Sequence, residues 1–330
     1  MERGNILGRT ITYSEALREA MDIEMAGDES IILMGLDIGP YGGAFKVTEG
    51  LSKKYPNRVF DMPISEAGYT GTGVGAAMTG KRSIIELQFT DWITIASDQL
   101  VNQAANIHYM LGGKVSVPLV LRGPCGGYDR AAAQHSHNFE SWFSFIPGLK
   151  VVVPSTPYDA KGLLATAIRD DNPVIFFEHK KLYYTEGEVP EEKYYIPFGK
   201  ADIKRKGKDL TIVSYSFMLK KSLEAAEILS KDGIEAEIVD LRTTSPLDRE
   251  TILNSLEKTN RLLIVQEAWA NCSVSSEIAA LAAMEGIEYL DAPVRRITAK
   301  EAPIPFSPVL ENYILPQVED IVKESKALLK

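Results

Sequence analysis

A glutamate and a histidine occupy the two stretches of this chain best suited to moving protons. Glu66 lies in Pro63-Ile64-Ser65-Glu66-Ala67-Gly68-Tyr69-Thr70-Gly71-Thr72-Gly73-Val74-Gly75-Ala76-Ala77, where an extended segment ends and a glycine-rich helix begins. A helix start favours a carboxylate through the macrodipole. Ile64 and Ala67 also make the setting partly dry, which suits general acid–base work once the acid has a partner. His135 lies in Gln134-His135-Ser136-His137, within a loop that opens on Gly123-Pro124-Cys125-Gly126-Gly127 after an apolar run. Loops at the carboxyl ends of parallel strands are where α/β proteins hold ligands, and a histidine there is a candidate proton donor.

Competing chemistry is weaker. Gly71-x-Gly73-x-x-Ala76 matches the dinucleotide fingerprint, but its glycines fall inside the helix rather than at the turn that opens it. Small residues at Gly68, Gly71, Gly75, Ala76 and Gly80 instead suggest close approach of a second helix. His135 and His137 stand two apart with no third His or Cys beside them, a poor zinc set. His108 in an apolar helix and His179 after a strand read as structural.

The elements that position these residues alternate regularly. Thr12 to Glu15 reads as a capping box, with Ala16, Leu17, Ala20 and Met21 as the buried stripe behind it. Strands are expected at 30–36, 59–62, 83–88, 118–122, 150–153 and 174–178, and helices near 66–80, 92–111 and 157–170. Continuous apolar strands between helices imply an α/β fold with a parallel sheet covered on both faces. Residues 186–208, rich in charge, Gly and Pro, read as a linker between a first domain over 1–185 and a second over 209–330. In the second, strands at 209–215, 235–241, 261–266 and 287–290 alternate with helices at 218–231, 249–258 and 273–285, and a closing helix spans 311–329.

Composition narrows the partners. A chain of 330 residues is long for one domain, and its 45% hydrophobic content is ordinary for a globular protein. No run of eighteen uncharged apolar residues occurs, so no membrane span is expected. The amino terminus lacks a signal core. Cys125 and Cys272 form no disulfide or zinc pattern, which points to a reducing compartment, the cytoplasm. The net charge of -9, from 45 Asp and Glu against 36 Lys and Arg, disfavours nucleic acid.

Ile64-Ser65-Glu66, the helix from Gly68 to Gly80, Arg122-Gly123-Pro124, Gln134-His135-Ser136, Pro147-Gly148-Leu149-Lys150-Val151 and Asp159-Ala160-Lys161-Gly162-Leu163 resemble the beta subunit of the thiamine-diphosphate-dependent 2-oxoacid dehydrogenases. The match keeps that family's order and spacing from Thr12 to about Pro316. The family includes pyruvate, branched-chain 2-oxoacid and acetoin dehydrogenase components. The resemblance implies a pyrimidine-binding domain followed by a transketolase-like C-terminal domain. It implies that Glu66 bonds a ring nitrogen of the cofactor's aminopyrimidine and favours the tautomer that activates the thiazolium. Ile64, Gln88 and Trp92 would line the pyrimidine pocket, with Trp92 where relatives often carry Tyr or Phe.

By the same resemblance, His135 would protonate the lipoyl sulfur during reductive acylation, and His137 replaces a usual Gln. Leu119, Ala167, Ile168, Asp170 and Asn172 would form a potassium site built mostly of backbone oxygens. Relatives that bind the whole cofactor carry Gly-Asp-Gly, which occurs nowhere here, since Gly27-Asp28-Glu29 breaks it. An alpha subunit is therefore expected to hold magnesium and the diphosphate, in an assembly of two alpha and two beta chains that serves a lipoyl acyltransferase core. One chain of a split transketolase, an acetoin dehydrogenase beta subunit, a non-catalytic assembly subunit and an NAD-binding dehydrogenase are the alternatives.

Overall fold

The computed structural model describes residues 9–330, which divide into two compact units. The first runs to Cys125 and resumes over Phe143–Phe198; the second takes Gly126–Trp142 and Gly199–Lys330.

In the first unit, β1 (Arg9–Thr12) leads into α1 (Tyr13–Gly27), followed by β2 (Ile31–Gly35), α2 (Leu51–Lys54), β3 (Val59–Asp61), α3 (Glu66–Met78) and β4 (Arg82–Glu86). Then come α4 (Ile93–Asp98), α5 (Ala105–Met110) and β5 (Leu119–Cys125). The chain crosses to the second unit and returns within α6 (Glu140–Ser144), continuing through β6 (Lys150–Val152), α7 (Pro157–Arg169), β7 (Val174–His179) and β8 (Glu186–Val189). Strands β6, β7, β5, β4, β2 and β3 lie side by side in that order, every pair parallel.

The capping box at Thr12 is present in both directions, with Thr12 N bonded to Glu15 Oε2 at 2.8 Å and Glu15 N to Thr12 Oγ1 at 3.2 Å. Behind it Ala16, Leu17, Ala20 and Met21 are fully buried. Burying a Leu or Met side chain contributes about 1.5–3 kcal/mol, so this stripe holds α1 in place far more than helix propensity does. β1 pairs antiparallel with β8, so residues 186–189 form a strand with the first described residues.

In the second unit, β9 (Asp202–Arg205), β10 (Leu210–Ser214), α8 (Ser216–Lys231), β11 (Ala236–Asp240), β12 (Thr243–Ser245), α9 (Arg249–Thr259) and β13 (Leu262–Trp269) follow in chain order. They precede α10 (Val274–Glu285), β14 (Arg295–Ala299), α11 (Pro308–Ile314) and α12 (Val318–Leu328). The sheet order is β14-β13-β10-β11-β9, parallel throughout except for the antiparallel edge strand β9.

Three expected elements differ. Residues 287–290 form a 3₁₀ turn, Ile287–Tyr289, in which Ile287 is exposed; the strand comes later, as the edge strand β14. The closing helix is two helices, because Pro316 cannot donate to a continuing ladder and pushes Leu315 into an extended conformation. The helix expected over 92–111 begins after a 3₁₀ turn at Thr90–Trp92 and passes through a π-helical turn at Gln99–Ala104. No helix among the described residues is long and apolar enough to cross a membrane.

Candidate active site

Three parallel strands of the first unit end level with one another. Gly35 of β2 pairs with Asp61 of β3 on one side and Glu86 of β4 on the other, and Glu86 pairs with Arg122 of β5. The segments leaving these strands emerge on one edge, the carboxyl edge where parallel sheets receive ligands. From β3 the chain runs through Ile64 to Glu66; from β4 it runs through Gln88 to Trp92. The four residues expected to meet a pyrimidine thus share that edge.

Glu66 is the first residue of α3 and only 8% exposed. Ser65 caps no amide with its side chain, so the unbonded first-turn N–H groups and the positive helix end act on the carboxylate. Among the described residues, the Glu66 side chain makes no hydrogen bond or ion pair. Ile64, two residues earlier, is 79% exposed, while Gln88 and Trp92 are half-buried. Tyr69, on the same helix face as Glu66, is buried, and its hydroxyl has no hydrogen-bond partner. Burial, with the charges of Glu66 and Glu86, pushes this phenol above its ordinary value. A nearly buried carboxylate and a buried hydroxyl are thus left unpaired by the protein, on the sheet edge that also carries an exposed apolar chain and an aromatic. That donor set suits a flat heterocycle with a protonatable ring nitrogen.

Beneath this edge lies a buried ionic layer that the sequence reading missed. Arg122 Nε donates to Glu178 Oε1 at 2.6 Å and Nη2 to Glu178 Oε2 at 2.5 Å, while Nη1 donates to Glu86. The Tyr183 hydroxyl donates to Glu178 Oε2 at 2.7 Å. Burial lifts the Glu86 carboxyl above its ordinary value even though the Arg122 charge opposes it. Burial alone would lower the Arg122 guanidinium, but the Glu178 and Glu86 charges outweigh it and raise it. Breaking such a pair by removing one partner costs about 3–5 kcal/mol, which makes this layer a rigid floor under the edge. A Cβ on Gly43 (φ +78°) would fall 2.7 Å from Glu86 Oε1, so only glycine fits where that loop meets the floor. The signal was available: SIIE, LVLR and VIFFE each end an apolar strand on a charge.

The small residues of α3 divide by face. A Cβ on Gly73 would lie 2.5 Å from Ile85 Cδ1 and one on Gly71 3.4 Å from Gln99 Cγ, whereas Gly75 and Gly80 face open space. Gly71 therefore packs on the π-helical turn as expected of a helix contact, Gly73 packs on β4, and Gly75 and Gly80 make no such approach.

His135 ends a 3₁₀ turn, Ala133–His135, in the second unit. Its loop contains three non-glycine residues at positive φ, Tyr128 (62°), Arg130 (56°) and Ala132 (61°). Each costs about 1–3 kcal/mol and persists only where the surroundings over-determine the backbone. Those surroundings are buried side chains of the second unit. Glu267 Oε1 accepts from Gly127 N at 2.5 Å and Asn138 Nδ2 at 2.9 Å, and Glu311 Oε1 accepts from Arg130 N at 3.1 Å. The Tyr128 hydroxyl donates to Pro316 O at 2.6 Å. His137 stacks on Phe139, with ring centroids 5.0 Å apart. The Tyr215 hydroxyl donates to Glu140 Oε1 at 2.7 Å. Burial, with the Glu267 charge adding to it, pushes the Glu140 carboxyl up to about 7 although the Tyr215 bond opposes the rise.

The remaining histidines serve the backbone: His108 Nδ1 lies 2.8 Å from Val115 O, and His179 Nδ1 accepts from Lys181 N at 3.1 Å. Leu119, Ala167, Ile168, Asp170 and Asn172 gather at the opposite, amino edge of the first sheet, where Leu119 pairs with Ser83. Arg82 Nη1 donates to Ile168 O at 3.2 Å and Asp170 O at 3.1 Å, and Asp170 Oδ1 accepts from Asn172 N and Nδ2. A potassium ion there would share two of its oxygens with a guanidinium. Among the described residues no cluster of three or more His, Cys, Asp or Glu side chains could hold a metal ion.

Residues 9–186 match the transketolase pyrimidine binding domain family and residues 199–321 the transketolase C-terminal domain family. The chain is 50% identical to the beta subunit of acetoin:2,6-dichlorophenolindophenol oxidoreductase of Bacillus subtilis, over 98% of each chain. It is 47% identical to the pyruvate dehydrogenase E1 component subunit beta of Rickettsia felis, over 96% of this chain and 97% of that one. In fold it is similar to a split-gene transketolase solved as an inactive beta4 tetramer, with a TM-score of 0.82 at 21% identity over 97% of this chain and 98% of that one.

Proposed function

This chain belongs to the family that joins a transketolase pyrimidine-binding domain to a transketolase C-terminal domain and includes the beta subunits of acetoin and pyruvate dehydrogenases, and from that membership we propose that it is the beta subunit of a thiamine-diphosphate-dependent 2-oxo acid dehydrogenase component. The observation that carries the reading is Glu66, a buried acid on a carboxyl sheet edge that no described residue pairs. Its carboxyl group holds a proton at a ring nitrogen of the cofactor's pyrimidine. Ile64 and Trp92 give the ring apolar contact and exclude water, and Gln88 lies beside them. Bound there, thiamine diphosphate supplies an electron sink for cleavage of the bond next to a substrate carbonyl.

The diphosphate and magnesium belong to an alpha subunit. A chain of net charge -9 without Gly-Asp-Gly suits this division, and two alpha and two beta chains make the complete assembly. His135 gives a proton to the lipoyl sulfur as the acyl group reaches an acyltransferase core. The compartment is reducing, in keeping with two cysteines that form no disulfide.

Pyruvate and branched-chain 2-oxo acids are the substrates of the leading reading. Acetoin is the second, favoured by the 50% identity to an acetoin oxidoreductase subunit. The assembled alpha and beta subunits, assayed with each of the three and with lipoamide, separate these readings from a split transketolase, which reduces no lipoamide. Glu66→Gln keeps the side-chain shape and removes the exchangeable acid. It is expected to lower turnover roughly 10²–10⁴-fold with unchanged assembly. Near-normal turnover with any substrate overturns the assignment of Glu66.

A further inference from the structure

We infer that Glu267 is the positioning residue for His135: one carboxylate oxygen pins both ends of the loop that carries the histidine. The inference rests on the acyl-transfer role proposed for His135 and names the group through which the second unit holds it. Glu267 is 4% exposed and lies near the carboxyl end of β13. There the pairing with β14 steps from Val265–Ile297 to Trp269–Ala299, so Gln266, Glu267 and Ala268 stand opposite Thr298 alone. A bulge of this kind re-aims a side chain out of the regular in-and-out alternation. Glu267 Oε1 accepts from Gly127 N, eight residues before His135, and from Asn138 Nδ2, three residues after it. Gly126 N donates to His137 O at 3.1 Å and closes the same base.

The two halves of the loop are held differently. Its first half has further anchors, since Tyr128 reaches Pro316 and Arg130 N reaches Glu311. The holds on the half after His135 include the Glu267–Asn138 bond, the backbone bond from Gly126 N to His137 O, and the His137 ring, which stacks on Phe139 and meets the edge of Trp269 at 5.9 Å. Losing the carboxylate therefore removes one bond from each end of the loop and loosens the base around His135, while the first half keeps its other tethers. Charged acceptors make the stronger bonds, but the geometry needs only an acceptor oxygen, which glutamine also presents.

The test uses the assembled alpha and beta subunits carrying Glu267→Ala, Glu267→Gln, Asn138→Ala or His135→Ala. Each is assayed for acyl transfer to a lipoyl domain and for reduction of dichlorophenolindophenol, which bypasses that step. Glu267→Ala is expected to lose about tenfold or more in acyl-transfer kcat/KM, with dye reduction within about twofold of wild type. Glu267→Gln recovers most of the loss, Asn138→Ala shows a smaller split of the same kind, and amide exchange across 126–138 quickens in Glu267→Ala. Equal losses in both assays, no acyl-transfer loss, or a Gln variant no better than Ala overturn the inference. If Glu267→Ala does not fold, absence of a split in Asn138→Ala overturns it equally. His135→Ala separates the failures: a split there without one in the Glu267 variants sinks only the positioning role. No split in His135→Ala sinks the acyl-transfer reading and the inference with it.

Discussion

Glu140 and Glu66 are both nearly buried acids, and their surroundings treat them differently. Glu140 accepts from the Tyr215 phenol and feels a second acid, Glu267, whose charge opposes its ionisation. Its folded value of about 7 lies above the ordinary carboxyl value of 4.5, so the protonated form is the one the fold prefers. The stability this contributes is fully present below about pH 4.5 and is lost as pH rises through about 7. Glu140→Gln keeps an acceptor for Tyr215 and cannot ionise. It should leave Tm near wild type at pH 5 and raise it at pH 8, on the order of a few kcal/mol of unfolding free energy; equal Tm differences at both pH values count against the assignment. Glu66 was legible in the sequence because apolar neighbours and a glycine-rich helix start frame it locally. Glu267 was not, because what it holds lies about 130–140 residues earlier in the chain, at Gly127 and Asn138.

At the scale of elements, α3 shows how far local pattern reaches. Its glycines announced close packing, but which of them pack depends on β4 and the π-helical turn, and periodicity does not carry that information. Gly73→Ala forces a Cβ to 2.5 Å from Ile85 Cδ1 and should destabilise by about 1–3 kcal/mol. Gly75→Ala enters open space within a helix and should stabilise the isolated chain by about 0.5–1 kcal/mol, both measured by chemical denaturation. Two destabilisations of equal size would mean that the helix faces are misassigned. Buried parallel strands such as Ile31–Gly35 and Val174–His179 were readable from their continuous apolar runs. The edge strand Arg295–Ala299 was not, because only two of its five residues are buried and Arg295 and Arg296 dominate its start. Residues 287–290 misled for the opposite reason, being apolar enough for a strand yet left without a partner in the sheet.

For the whole molecule, charge and the missing Gly-Asp-Gly bear on the same question. Titrated alone, the chain should show no saturable uptake of thiamine diphosphate at submillimolar concentration by calorimetry. With an alpha subunit and magnesium, binding should appear, and its salt dependence should reflect the partner's charges rather than a surface of net charge -9. Tight binding by the isolated chain would remove the case for a shared cofactor. The two-domain α/β plan was legible because its strands and helices alternate twice. The excursion of residues 126–142 into the second unit was not, since nothing local marks a loop that leaves one unit for another. The ribbon of β1 and β8 joins Arg9 to Val189, 180 residues later. A ribosome adding about 5–20 residues per second spends on the order of 10–35 seconds between the two. Through that interval the first strand has no mate, so the nascent polypeptide carries an unpaired strand until the far half arrives.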